Sequence, residues 1–179
     1  MKEADDMSRT KENLKAAIEG ESMARTKYSY FAEVAREEGY HYIAKLFEET
    51  AENEKQHAID NYRLLMEEGD TASNLREAIA GENYETTEMY PEFARIAEEE
   101  GDKRAAALFR MISRVEERHR NRYRKLLEMV EKGTVYRRTE PIRWKCSVCG
   151  YIHEGTEPPP KCPSCKHPRE YYEPECLSF

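Results

Sequence analysis

The sequence predicts an all-α four-helix bundle followed by a small domain that is held together by metal. Three observations lead to this prediction. Apolar residues recur at helical spacing through about the first 132 residues, where Pro91 is the single proline. The helical pattern occurs twice, at an offset of 61 to 62 residues. The segment after residue 138 instead contains the other seven prolines and all five cysteines.

The composition excludes several classes of protein. Charged residues make up 36% of the chain and hydrophobic residues 39%, which is typical of long helices with narrow buried stripes. The net charge of −7 argues against nucleic acid as a partner. No apolar stretch approaches the roughly 20 residues that a membrane span needs, and the first eleven residues lack the apolar core of a signal peptide. We therefore expect a cytoplasmic protein that binds neither nucleic acid nor a membrane.

Glycines divide the first part of the chain into helices. Gly39, Gly69 and Gly101 stand where helix C-caps would fall. The predicted helices cover about 10–38, 40–68, 73–100 and 102–132. A linker of about residues 133–141 follows, and we expect two domains, 1–138 and 139–179. A domain of about 40 residues cannot bury enough surface by itself, so the second one must depend on a metal.

Each half of the helical region carries a Glu-x-x-His motif and a further glutamate on the preceding predicted helix, and these residues occupy matching positions in the two halves. The matching pairs are Glu21 and Glu82, Glu54 and Glu116, and His57 and His119. Residues three apart lie on one face of a helix, so each motif can chelate a metal. One Glu from each of two helices, with Glu-x-x-His from the other two, is the ligand set of di-iron or di-manganese bundles. A single Glu-x-x-His would more often be a solvated helix face, but the repetition in register favours the metal site.

The two halves differ by one residue beside the proposed site. Glu21 and Phe31 are ten positions apart, whereas Glu82 and Phe93 are eleven apart. An extra residue within a continuous helix is commonly absorbed as a π-bulge, and such bulges favour functional sites. Glu85 lies in this longer stretch, and we predict that it is a seventh ligand. The alternative is a surface glutamate beside a harmless insertion.

Two tyrosines are also repeat partners. Tyr28 lies seven residues after Glu21, and Tyr90, which is 62 positions after Tyr28, lies eight residues after Glu82. Their phenols could hydrogen-bond the ligand carboxylates and take part in catalysis. Ordinary aromatic packing explains the same positions equally well.

The cysteine-rich segment predicts a second metal centre. Two C-x-x-C pairs, separated by twelve residues, present four thiolates at tetrahedral spacing, which suits iron or zinc. These ligands are Cys146, Cys149, Cys162 and Cys165. A purely structural zinc ribbon is the alternative to an electron-carrying iron. Cys176 has no partner and is expected to be a surface or packing residue.

Four aromatic residues beside the cysteines are expected to form the small core of this domain. They are Trp144, Tyr151, Tyr171 and Tyr172. His153 and His167 are interpreted as loop residues, since four sulfurs already complete the metal site.

Together these motifs resemble the rubrerythrin family over nearly the whole chain. The stretches that carry the resemblance are G-E-S-M-A-R at 20–25, E-N-E-K-Q-H at 52–57, G-E-N-Y-E-T-T-E-M-Y-P at 81–91, E-E-R-H at 116–119 and the two cysteine pairs. The resemblance implies a ferritin-like bundle followed by a rubredoxin-like FeS₄ domain. It implies reduction of hydrogen peroxide to water in oxidative-stress defence. Electrons would come ultimately from NAD(P)H, through a partner such as a rubredoxin or a flavoprotein reductase.

The resemblance also implies a role for each ligand. Glu54 and Glu116 would bridge two irons, which share an oxo or hydroxo bridge when oxidised. Glu21 would be a terminal ligand of one iron, and Glu82 and His119 of the other.

Two further ligands would alternate on the first iron. The resemblance implies that Glu85 binds this iron in the oxidised state and that His57 binds it in the reduced state. The four cysteines would hold a single iron, for which zinc is a possible substitute. Lys166 departs from the glycine that usually follows the fourth cysteine of free rubredoxins, which would alter an N–H···S contact and leave the ligation unchanged.

A length argument predicts the oligomeric state. The second and third helices of a ferritin-like bundle run parallel, so the chain between them must return along the bundle. Glu54 is 14 residues before Glu68, and Glu82 is nine residues after Ser73, which requires about 21 plus 13 Å to be retraced. The loop 69–73 spans at most about 20 Å. We therefore expect a domain-swapped homodimer, in which helices one and two complete a bundle with helices three and four of the mate.

Three functions are consistent with these features. The first is a di-iron peroxide reductase with its own electron-transfer domain. The second is a ferroxidase or iron-handling protein. The third is a non-catalytic bundle that a zinc ribbon tethers to a partner. The cysteine domain favours the first function over the second, since iron storage needs no electron inlet.

Overall fold

The computed structural model describes residues 2–65 and 69–175, with side chains from residue 9 onward. It contains helices α1 (Lys2–Glu37), α2 (His41–Leu65), α3 (Thr71–Tyr84), a π-helix (Glu85–Met89), α4 (Tyr90–Glu99) and α5 (Lys103–Glu131). These are followed by strands β1 (Ile142–Cys146) and β2 (Ile152–Gly155), a short 3₁₀-helix (Arg169–Tyr171) and strand β3 (Tyr172–Pro174). The chain forms two compact units, Met1–Glu68 and Gly69–Phe179.

The first unit is a helical hairpin of α1 and α2. Gly39, at φ 86°, takes the left-handed conformation that ends α1, and the N–H of Tyr40 donates to the carbonyl of Ala35 at 2.8 Å. The two helices approach through small side chains, because Ala32 and Ala44 are each 1% exposed. Phe47 packs against this alanine cluster.

The second unit repeats the same construction. Gly101, at φ 81°, ends α4, and the N–H of Asp102 donates to the carbonyl of Ala97 at 2.8 Å. The Asp102 side chain caps α5 by accepting the N–H of Ala105 at 2.9 Å. The buried alanines of this unit stand 62 positions after those of the first. They are Ala94, Ala97 and Ala106, which match Ala32, Ala35 and Ala44.

The extra residue of the second repeat is absorbed in a π-helix, as predicted. Glu85–Met89 forms one π turn between α3 and α4, and the N–H of Tyr90 bonds to the carbonyl of Glu85, five residues back. The helical path continues through this turn. Pro91 has no N–H to donate within this helix, and the carbonyl of Thr86, five residues before it, accepts the hydroxyl of Ser113 at 3.4 Å.

The helix boundaries differ from the predicted ones at two N-termini. Helix α1 begins at Lys2 and not near residue 10, because the intervening residues contain no glycine or proline. Helix α3 begins at Thr71 and not at 73, because Asp70 is its N-cap and accepts the N–H of Ser73 at 2.7 Å. The predicted end of the second helix at Glu68 lies outside the described residues.

The cysteine-rich segment forms a three-stranded antiparallel sheet in the order β2-β1-β3. Trp144 and Cys146 are fully buried and alternate along β1 with the more exposed Arg143 and Lys145, and Tyr172 of β3 pairs with Cys146. The Trp144 indole N–H donates to the carbonyl of Gly155 at 3.0 Å. Cys162 completes the core, and Tyr136 packs against it.

Two of the four aromatic residues predicted for this core are exposed. Tyr151 and Tyr171 are 38% and 46% exposed, because they flank the strands and do not occupy inward positions within them. His153 lies in β2 and not in a loop. Cys176 lies outside the described residues. Among the described helices, none combines the length and the apolar character that a membrane crossing requires.

The close helix approach makes the buried alanines sensitive to size. We expect Ala32→Leu to destabilise the first hairpin by about 1–3 kcal/mol, since the added side chain must force the two helices apart. The matched control is Ala16→Leu, at an exposed position of the same helix. Urea unfolding followed by far-ultraviolet circular dichroism measures both variants. Equal midpoints for the two would contradict the close packing at Ala32.

Candidate metal centres

The first hairpin brings together three of the predicted ligands. Glu21 comes from α1, and Glu54 and His57 come from α2. The His57 Nδ1 atom is 2.8 Å from Glu54 Oε2 and 3.9 Å from Glu21 Oε1. One donor atom from each residue lies within 4.8 Å of the others, which is a spacing that one cation can span. We name this group the first half-site.

The second unit builds the same arrangement from the matching residues. Glu82 comes from α3, and Glu116 and His119 come from α5. The His119 Nδ1 atom is 2.5 Å from Glu116 Oε2 and 3.7 Å from Glu82 Oε1. The donors again lie within 4.8 Å of one another. This second half-site is the more buried one within the chain, because the His119 side chain is 35% exposed and that of His57 is 57% exposed.

The electrostatics of the second half-site favour a cation. Burial raises the pKa of Glu82, and the hydrogen bond and charge repulsion from Glu116 raise it further, while His119 opposes the shift. The second carboxylate oxygen of Glu82, Oε2, is buried and has no hydrogen-bond partner among the described residues. A bound metal would replace the shared proton and satisfy this oxygen. Carboxylates and imidazoles are the donors of di-iron sites, so the residues present fit iron.

Glu85 stands at the start of the π-helix, near the second half-site. Its charge contributes to the raised pKa of Glu82 and, after burial, to the raised pKa of Tyr90. It is not among the three donors that cluster there. Its role as a seventh ligand therefore stays a prediction.

Both repeat tyrosines pack in matching aromatic clusters. The Tyr28 ring lies 6.2 Å from the rings of both Phe31 and Phe47. The Tyr90 ring makes the corresponding contacts, at 6.3 Å with Phe93 and 6.2 Å with Phe109. Neither phenol donates to a ligand carboxylate within the part of the chain that the structure describes. Aromatic packing is therefore the observed role of both residues.

The four predicted cysteines form one cluster. The Sγ atoms of Cys146 and Cys165 are 3.7 Å apart, as are those of Cys149 and Cys162, and all four lie within 4.8 Å. The arrangement is that of a tetrahedral S₄ site.

The thiols of this cluster differ in acidity. Burial opposes ionisation of Cys162, but hydrogen bonds from the backbone N–H groups of Cys165 and Ser164 outweigh it and lower the pKa of Cys162 to about 6. A hydrogen bond from the backbone N–H of His167 favours the Cys165 thiolate, but burial and the neighbouring sulfurs outweigh it and raise the pKa of Cys165 to about 12. The cluster thus stabilises some of its thiolates unaided and requires a cation for the rest.

Two neighbours of the fourth cysteine have roles that the sequence did not reveal. Lys166 has φ 65°, so this lysine occupies the left-handed conformation that glycine usually supplies. His167 was expected to be only a loop residue, yet its Nδ1 atom is 3.3 Å from the Sγ of Cys165. The C-K-H order of residues 165–167 is the one available signal, and the backbone turn that brings the ring back to the sulfur is visible only in three dimensions.

Comparisons with known proteins agree with both metal centres. A family model described as Rubrerythrin matches residues 12–127, and one described as Rubrerythrin, rubredoxin-like domain matches residues 144–173. The chain is 45% identical to the putative rubrerythrin of Methanocaldococcus jannaschii, over 97% of this chain and 96% of that protein. It is 49% identical to the rubrerythrin of Porphyromonas gingivalis, over 93% of this chain and 90% of that protein.

A further relative is the rubrerythrin of Nitratidesulfovibrio vulgaris, which is 41% identical over 93% of this chain and 94% of that protein. A solved structure of nigerythrin in a mixed-valence state is 37% identical, covers 93% of this chain and 86% of that chain, and has a TM-score of 0.37. The predicted fold class, ferritin-like helices with a small rubredoxin-like domain, is confirmed. The chain therefore belongs to the rubrerythrin family, with iron in a di-iron centre and in a four-cysteine site.

Proposed function

We propose that this protein reduces hydrogen peroxide to water as part of the defence against oxidative stress. One observation carries the proposal: a single chain holds two matching carboxylate–histidine half-sites and an S₄ centre. The two half-sites would hold a pair of ferrous ions, which when bound would supply the two electrons that reduction of peroxide requires. The S₄ centre, whose Cys149 is exposed, provides a route for returning electrons one at a time.

The protein contributes ligands, position and a proton donor. We assign Glu54 and Glu116 as the bridging ligands, which is the role that the resemblance to the rubrerythrin family implies; each lies beside the histidine of its own half-site, at 2.8 and 2.5 Å. Glu21 would be terminal in the first half-site, with Glu82 and His119 terminal in the second.

The remaining residues would support exchange of ligands and protons. We assign Glu85 and His57 as alternative ligands of the first iron, in the oxidised and reduced states. Burial and neighbouring carboxylates raise the pKa of Tyr90, so its phenol stays protonated and can donate a hydrogen bond at neutral pH. Tyr28 occupies the matching position of the first repeat.

The electrons must come from outside the chain. A rubredoxin or a flavoprotein reductase, linked ultimately to NAD(P)H, is the class of donor that we propose. Two C-x-x-C pairs that hold a metal, and do not form disulfides, are typical of a reducing compartment, which supports the proposed cytoplasmic location.

A domain-swapped homodimer is the second part of the proposal. The ligand Glu54 is eleven residues before the end of α2 at Leu65, and the ligand Glu82 is eleven residues after the start of α3 at Thr71. To bring both ligands to the same level of one bundle, the connection between the helices would have to run back about 33 Å. The connection between Leu65 and Thr71 can span only about 21 Å. The separate compact units support the same arrangement, in which each chain donates its first hairpin to the mate.

Each hairpin also leaves apolar side chains exposed that a bundle would bury. They are Phe31, Ile43 and Leu46 in the first unit, and Phe93, Ile96 and Leu108 in the second, all 39–55% exposed. Exposed apolar surface of this extent is typical of an interaction site.

Anaerobic stopped-flow mixing of the fully reduced protein tests the function. We expect peroxide to reoxidise the sites faster than dioxygen does, by about tenfold or more. The Cys149→Ala variant serves as the control, because it should retain the single reaction with peroxide and lose steady-state turnover with an external donor. Reoxidation by dioxygen at an equal or higher rate would favour a ferroxidase instead.

Complementation between two inactive variants tests the domain swap. Glu54→Ala inactivates the first hairpin and Glu116→Ala the second. A swapped heterodimer of the two variants contains one site with no substitution, whereas an unswapped one contains none. After co-refolding at equal concentrations we expect about one quarter of the wild-type peroxide reduction, because half of the dimers are mixed and each has one intact site. Activity that stays at the level of the separate variants would reject the swap.

The proposed role of Glu85 as a seventh ligand predicts that its removal shifts the reduction potential of the di-iron centre. Glu85→Ala removes a carboxylate that stabilises the ferric state, so we expect the potential of the di-iron centre to rise by about 60 mV, equivalent to a tenfold weaker ferric preference. Glu88→Ala, at an exposed position of the same π-helix, is the matched control. A redox titration measures both variants. Identical potentials would show that Glu85 is a surface glutamate.

A further inference from the structure

A largely buried arginine joins α3 to α5 beside the second half-site. The side chain of Arg120 is 12% exposed, although it is long and permanently charged. One of its NH groups donates to Asn83 Oδ1 at 3.0 Å, and the other lies 3.4 Å from Glu117 Oε1. The Nε–H is buried and has no acceptor among the described residues. Such an incompletely satisfied group is costly, so its presence calls for a reason other than packing.

The position of this contact along both helices supplies a reason. Arg120 directly follows the ligand His119, and Asn83 directly follows the ligand Glu82. The hydrogen bond therefore crosses from α5 to α3 at the same level as the donors Glu82 and His119, whose atoms are 3.7 Å apart. A link at this level fixes the distance across which a metal must be held. We call the Arg120–Asn83 contact the brace.

The first half-site lacks this brace. The repeat counterparts of Asn83 and Arg120 are Ser22 and Ala58, at offsets of 61 and 62. Neither can reach across the helix pair in the same way. Both line an open groove of about 590 Å³ between α1 and α2, together with Ile18 and Tyr62. The two halves thus present the same donors on differently supported helices.

We propose that Arg120 is a positioning residue, which holds Glu82 and His119 at metal-binding distance and makes the second half-site the tighter of the two. This inference rests on the proposed di-iron site. The charge of Arg120 by itself would repel a cation, so any gain in affinity must come from the geometry that the brace imposes. Groups that hydrogen-bond a metal ligand directly change metal affinity by about 10–100-fold, and a brace one residue removed from the ligands should act at the lower end of this range.

Stepwise titration of the metal-free full-length protein with Co²⁺ tests the proposal. The absorption of cobalt bound by thiolates differs from that of cobalt bound by carboxylate and imidazole, so the S₄ site is an internal reference. We expect Arg120→Ala to weaken one of the two carboxylate–histidine binding steps by about tenfold or more and to leave the other step unchanged. Arg118→Ala, which removes the same charge from an exposed position of α5, should weaken neither.

Variants of Asn83 separate the brace from a general effect on folding. Asn83→Ala should reproduce the loss, and Asn83→Asp, which keeps an acceptor for Arg120, should retain tight binding. The double variant should bind no more weakly than either alanine variant, since both remove the same contact. If Arg120→Ala does not fold, Asn83→Ala carries the same test.

The outcomes are distinct from those for the proposed function. Unchanged or tighter cobalt binding in Arg120→Ala would overturn the brace, as would equal weakening of both steps together with a lower melting temperature of the metal-free protein. Slow reaction with peroxide in a wild-type protein that shows the two predicted binding steps would overturn the peroxidase proposal and leave the brace standing.

Discussion

Three donor side chains can meet within 4.8 Å on two helices only if those helices approach closely. Buried alanines permit this approach in both hairpins, and Ala32, Ala44, Ala94 and Ala106 are each at most 3% exposed. A larger side chain at these positions would separate the helices and with them the ligands. The metal chemistry therefore depends on the smallest side chains of the core as much as on the ligands themselves. Because the alanines recur 62 positions apart, both half-sites inherit the same helix spacing.

In both kinds of centre, acidic side chains lie so close together that a bound cation would stabilise their charged forms. Burial raises the pKa of Glu82, and the neighbouring Glu116 carboxylate raises it further. Among the cysteines, the pKa of Cys162 is lowered to about 6 and that of Cys165 raised to about 12, so a bound cation would favour the ionised form of Cys165 in particular. Metal binding and a well-formed site are consequently linked. The small sheet around Trp144 has little other core to stabilise it.

The two helical repeats differ in an ion pair, in one helical turn and in one arginine. Arg36 and Glu48 form an ion pair across the first hairpin, and at the matching positions Glu98 and Arg110 form an ion pair of reversed polarity across the second. Among the described residues of the two helical repeats, a π turn and a largely buried arginine are present in the second alone. The scaffold is thus shared, and two of the departures from symmetry, the π turn and Arg120, lie beside the metal ligands. The two half-sites therefore present the same donors in different surroundings.

The sequence alone was sufficient to predict the elements that repeat or obey a fixed spacing. Local patterns along the chain can be recognised without a structure. They include the helical periodicity, the glycine caps, the Glu-x-x-His motifs and the C-x-x-C pairs. Even the π-helix followed from comparing two spacings, since an extra residue in a continuous helix has few other outcomes.

The packed structure was needed to establish the features that depend on burial and on contacts between distant residues. It placed Tyr151 and Tyr171 on the surface, moved the start of α3 to its Asp70 cap, and brought the His167 ring to a cysteine sulfur. It also paired Arg120 with Asn83, 37 residues away. No local pattern encodes such contacts, because whether a polar side chain meets water or another residue is fixed only when the helices pack.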